Sequence, residues 1–236
     1  MARTITQEER ARLWLNYATE YNSRLFHRIA SRFASLAEAY DAFAADAALS
    51  AALSERVQSR MAQARNAGFI DSLLDAMERK NIRFTYPGDG RYPALLTQIS
   101  DPPGVLYYIG KLEPDPELSI AIVGSRHPTK YGKEVARRFG YELASAGVLV
   151  VSGMAEGVDA FAARGAHDAA DVVCPTLAVL GCGVDVVYPQ SNKALPRDHC
   201  ARRGGIRVSA RNARREVSFP DSQQNYERAG ARHADR

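Results

Sequence analysis

The chain has 236 residues, a formal charge of +4 and 46% apolar residues, enough for one large or two small domains of an ordinary folded protein. No apolar run is long enough to span a bilayer, and Met1–Arg12 lacks the apolar core of a signal peptide, so a cytoplasmic protein with no membrane partner is expected. Cys174, Cys182 and Cys200 form no C-x-x-C pair and the five histidines stand far apart, which argues against a disulfide frame and against a metal site. Residues 201–236 hold nine arginines and four acids, so the surplus of positive charge belongs to the tail, and residues 1–200 sum to about minus one. Overall basicity is therefore no evidence that the body binds nucleic acid.

Residues 1–80 are expected to form a small all-helical domain, because from residue 6 the chain is rich in Ala, Leu, Glu and Arg and holds nothing strand-like. Leu13, Tyr17, Tyr21 and Leu25 suggest one buried stripe, continued by Ile29, Phe33, Leu36, Tyr40 and Phe43; Leu73, Leu74 and Met77 supply another. Residues 81–118 read as a connector with short strands. Ile82–Tyr86 alternates, Pro87–Gly90 and Asp101–Gly104 are turn clusters, Tyr92–Leu96 could open a short helix, and Val105–Ile109 reads as a strand.

From residue 119 the pattern becomes βαβαβ. A strand Ile120–Val123 precedes a helix over about Tyr131–Ala146, whose apolar stripe is Val135, Phe139 and Leu143, with small Ala136, Gly140 and Ala144 beside it. Strand Val148–Ser152, a helix over about Val158–Ala169 and strand Thr176–Leu180 follow, then a helix near Asn192–Arg202 and a last strand Ile206–Ser209. Apolar strands alternating with helices argue for a buried, mostly parallel sheet of the α/β class.

In such a sheet the carboxyl ends of the strands share one side. Three loops should meet there: Gly124-Ser125-Arg126, Ser152–Gly157 and Gly181-Cys182-Gly183. Glycine lets a backbone approach a ligand closely, and amides at a strand-to-helix turn suit an anion. Arg126 adds a guanidinium, Asp159 is a candidate helix cap or acceptor, and Tyr188 offers an aromatic face before Pro189.

These loops, in this order and spacing, resemble the DNA-processing protein A (DprA, Smf) family. The resemblance rests on Ala121–Arg126 with Pro128 and Tyr131-Gly132, on Val151–Asp159, on Ala178–Pro189 with Asn192, and on Tyr92–Leu96 and Asp101–Tyr107 upstream, and it covers roughly residues 8–209. It implies a sterile-alpha-motif-like helical domain before a Rossmann-like domain, incomplete here, over 119–209. It also implies single-stranded DNA binding, loading of RecA recombinase in natural transformation, a possible homodimer, no catalysis and no cofactor. The residues it assigns to DNA are Gly124, Ser125, Arg126, Ser152, Gly153, Gly157, Asp159, Gly181, Gly183, Tyr188 and Asn192.

The chain departs from the family at Ala163, where a histidine is common, at an apparent insertion over 171–174, and after Ser209. Phe219-Pro220 echoes the family, but Asp221–Asn225 replaces an expected basic segment, and 210–236 reads as a divergent, truncated and poorly ordered tail. Alternatives are a phosphoribohydrolase-like enzyme, whose Pro-Gly-Gly-x-Gly-Thr stretch is missing, and an inactive truncated product. A dinucleotide oxidoreductase would want G-x-G-x-x-G after the first strand, which Gly124-Ser125-Arg126 does not supply.

Overall fold

The computed structural model describes residues 4–43, 46–66, 68–112, 116–169, 175–186 and 206–209. The expected strand Ile206–Ser209 is present. The expected helix near 192–202, the tail after 209, Tyr188 and Asn192 lie outside the described residues.

Among the described residues six helices come first: α1 Gln7–Ala18, α2 Ser23–Ala30, α3 Leu36–Ala42, α4 Ala47–Ala51, α5 Glu55–Ala64 and α6 Phe69–Arg79. Side-chain caps set several starts. Thr6 and Glu9 form a reciprocal capping box on α1, and Asn22, Ser35 and Ser54 each accept from an amide of the first turn of α2, α3 and α5. Trp14 is fully buried at the centre, its indole N–H donating to the Met61 carbonyl at 3.0 Å and its ring edge-on to Tyr40 and Phe43.

This helical core continues into the sheet. Ile82, Phe84, Val105, Tyr107 and Val184 belong to the same buried cluster as Trp14 and Met61. Asn16 on α1 donates to the Tyr107 hydroxyl at 3.3 Å, and complete burial pushes that phenol's pKa up from its ordinary value. Arg12 lies over the Tyr86 ring at 4.5 Å, and burial lowers its pKa from the usual arginine value.

Among the described residues the sheet has six strands in the order β1-β2-β6-β5-β4-β3. These are β1 Arg83–Thr85, β2 Leu106–Ile109, β3 Ser119–Ala121, β4 Leu149–Ser152, β5 Thr176–Val179 and β6 Ile206–Ser209. A short 3-10 helix, Ala94–Gln98, lies between β1 and β2. Strands β3, β4, β5 and β6 pair in parallel, whereas β2 pairs antiparallel with both β6 and β1. The stretch read as a connector thus supplies two strands of the sheet. The fold is α/β and Rossmann-like, with a mostly parallel sheet preceded by helices.

Helices α7 Lys130–Ser145 and α8 Val158–Asp168 make the crossovers β3-α7-β4 and β4-α8-β5. Both crossovers step in one direction along the sheet, so the right-handed rule puts both helices on one face, where they pack on each other and on β4.

Two expectations are corrected here. The buried line of α7 is Ala136, Gly140 and Ala144, while Phe139 is 54% exposed. The helix turns its small residues inward because it lies backbone-close on α8: a Cβ at Gly140 would strike the Ala162 carbonyl, and one at Gly165 the Arg137 carbonyl. The first strand of the parallel set, expected to be buried, is the edge strand β3, with Ile120 at 45% exposure and Val123, just past its end, at 69%. Among the described residues it has a neighbouring strand on one side only.

Candidate nucleic-acid interface

The parallel register carries the ends of β3, β4 and β5 to one rim of the sheet: Ala121 pairs with Val151, and Ser152 with Ala178. The loops after β3 and β4 are joined there. The Val158 amide, first in α8, donates to the Ser125 carbonyl at 3.1 Å. Gly157, at φ +83° and ψ −133°, packs against the Ser125 and Arg126 backbone, where a Cβ would overlap both residues. Only glycine combines that conformation with that approach.

The β4 loop is tied within itself. The Asp159 carboxylate, 5% exposed, accepts from the Gly153 amide at 2.8 Å, and the Ser152 hydroxyl accepts from Met154 at 3.4 Å. Asp159 therefore sits in the first turn of α8 as the anchor of the preceding loop. The N-cap is Gly157, which makes no side-chain cap bond. Ser125 does similar local work, its hydroxyl accepting from the His127 amide at 3.1 Å. Several groups expected to face a ligand are thus satisfied inside the loops. Among the described residues the amides of Gly124, Ser125 and Arg126 have no hydrogen-bond partner, and all three residues are exposed.

The third loop reaches the same rim and is then held by the helical unit. Gly181 is exposed with open space about it, and Gly183 is buried. Val184 joins the buried cluster that holds Trp14 and Met61, and Asp185 pairs with Lys80 at 2.8 Å. The site residues therefore fall into three groups. Gly124, Ser125, Arg126 and Gly157 are in direct contact; Ser152, Gly153 and Asp159 make the adjoining knot; Gly181 and Gly183 follow at the edge.

Arg126 is exposed and, among the described residues, forms no ion pair. It lines an open cleft of about 380 Å³ between the β3 loop and the first turns of α7 and α8. Lys133, Phe161 and Arg164 line it too, with Glu156 and Gly157. Three cations against one carboxylate leave a net charge of +2. Lys133, Phe161 and Arg164 were not among the residues singled out from the sequence. A solitary aromatic at the start of the Ala-rich helix α8, with Arg164 one turn on, is the signal that points to them.

Comparison with known proteins places this architecture. The family model for DNA recombination-mediator protein A matches residues 83–218. Protein Smf of Synechocystis is 39% identical over 127 residues, covering 52% of this chain and 31% of that protein. DNA processing protein DprA of Bacillus subtilis is 36% identical over 136 residues, covering 56% of this chain and 44% of the relative. The matched part thus spans less than half the length of either. The crystal structure of DprA from Streptococcus pneumoniae is similar with a TM-score of 0.59 at 25% identity, over 88% of this chain and 68% of that one. With a family match over more than half its length and a related solved fold, the chain belongs to the DNA recombination-mediator protein A family.

Proposed function

We propose that this chain binds single-stranded DNA at the rim where the β3 and β4 loops meet, in the service of DNA processing and recombination during natural transformation. The observation that carries the proposal is the exposed Arg126 beside three amides, none of them with a partner among the described residues, at the mouth of a cationic cleft. A phosphodiester backbone offers such a site its anionic oxygens at regular spacing, and no base need be read. Membership of the family supports the choice of DNA over other anions. Loading of RecA recombinase and self-association as a homodimer are part of the same proposal and rest on the family resemblance alone. Binding involves no catalytic step and no cofactor.

A mobility-shift titration with an oligo-dT strand tests it. A shift at low salt that weakens as salt rises, and that needs about 10- to 100-fold more protein in Arg126→Ala, is the expected outcome. No shift by the wild-type chain at low salt would sink the proposal. Hydrolysis of AMP that disappears in Glu156→Ala would instead favour an enzyme.

A further inference from the structure

Lys133 and Arg164 come from different helices, yet each charged group stands 5.7 Å from the centroid of the Phe161 ring. The close crossing of α7 and α8 at Gly140 and Gly165 sets this meeting, because it holds the first turns of the two helices side by side. Nearby arginines on α7 behave differently. Arg137 pairs with Asp168 and Arg138 with Glu142, each at 2.7 Å. Lys133 and Arg164, like Arg126, have no carboxylate partner among the described residues. An aromatic ring that is only half-buried, two unneutralised cations on it and a third cation at the mouth of the same cleft make an arrangement with two kinds of affinity. The ring offers a flat apolar surface, and the cations offer donors to an anion.

One chemical unit uses both: a nucleotide, with a planar base and a phosphate. We infer that the α7–α8 cleft is a second subsite for the strand held at the sheet rim, with one base stacked on Phe161 and its phosphate among Arg126, Lys133 and Arg164. The inference rests on the proposed DNA binding and extends the strand's path from the Gly124–Arg126 loop over the first turns of α8. Cation–π contacts at a ring still open to solvent are weak. Exchanging one of them for a stacked base and a paired phosphate therefore favours the bound state.

The test is fluorescence anisotropy with a labelled oligo-dT strand across a salt series, on wild type, Phe161→Leu, Phe161→Tyr, the Lys133→Gln/Arg164→Gln double variant and Arg126→Ala. Phe161→Leu is expected to weaken binding about 5- to 150-fold at unchanged salt dependence, and Phe161→Tyr to keep it, as loss and retention of a stacking surface imply. The double variant is expected to flatten the slope of log affinity against log salt by up to about 0.7, one phosphate's worth. If Arg126→Ala loses affinity while Phe161→Leu and the double variant bind like wild type, the subsite is wrong and the rim proposal stands. If wild type does not bind the strand, both fail. Photocrosslinking of wild type to a strand carrying 5-iododeoxyuridine needs no variant to fold. Attachment to the peptide containing Phe161 is expected, and crosslinks confined to other peptides would overturn the inference.

Discussion

The Val158 amide donates to the Ser125 carbonyl at 3.1 Å, so the first turn of α8 is fastened to the loop that carries Arg126. Two segments separated by the whole of α7 and β4 thereby act as one rigid corner. The position of the guanidinium depends on that corner, and the corner depends on Gly157 having no side chain.

Gly157→Ala is accordingly expected to damage both stability and binding. The left-handed φ alone costs about 1–3 kcal/mol for an L-residue, and the overlap with the Ser125 and Arg126 backbone adds to it. Urea denaturation should show a lower midpoint, and oligo-dT affinity should fall because the loop is displaced. A variant as stable as wild type would mean that the two loops do not meet as described.

Gly140→Ala offers a test of sign. Helix propensity alone favours alanine by about 1 kcal/mol in the middle of α7. The structure places the Ala162 carbonyl where the new methyl would go, and such overpacking costs about 1–3 kcal/mol. Thermal melts are expected to show destabilisation; a rise in Tm would show that α7 and α8 stand further apart.

Tyr107 makes stability depend on alkaline pH. Its phenol is fully buried and its pKa is raised by that burial, while an unfolded tyrosine titrates near about 10. Above that pH the unfolded chain releases a proton that the folded chain keeps. Stability therefore falls as pH rises, by up to about 1.4 kcal/mol per pH unit from this group. Urea midpoints measured from pH 8 to 11 should fall less steeply in Tyr107→Phe than in wild type. Equal slopes would place this phenol in contact with water.

Much of the parallel half of the fold was legible in the residues. The run from β3 through β5 follows from short apolar segments that alternate with helices, and α7 begins one residue before the expected position. The rim loops were legible because glycines follow each strand. Long-range partners were not: nothing local in Arg83–Thr85 or Leu106–Ile109 says that these strands join the sheet antiparallel beside β6. The face of α7 was also misjudged. Hydrophobicity favours Val135, Phe139 and Leu143, but the helix buries Ala136, Gly140 and Ala144, because closeness to α8 outweighs the size of the side chain. The cleft went unseen for a related reason, since Lys133 and Arg164 meet only through that helix crossing. In Asp159 the sequence showed a cap or a ligand acceptor, and the fold made it a loop anchor.

The most direct measurement is the affinity of an oligo-dT strand for wild type and for Arg126→Ala over a range of salt concentrations. Loss of one charge-assisted contact to phosphate should lower affinity about 10- to 100-fold and reduce the salt slope by about 0.7. Equal affinity and equal slope in the two proteins would contradict a strand bound at the rim through this guanidinium.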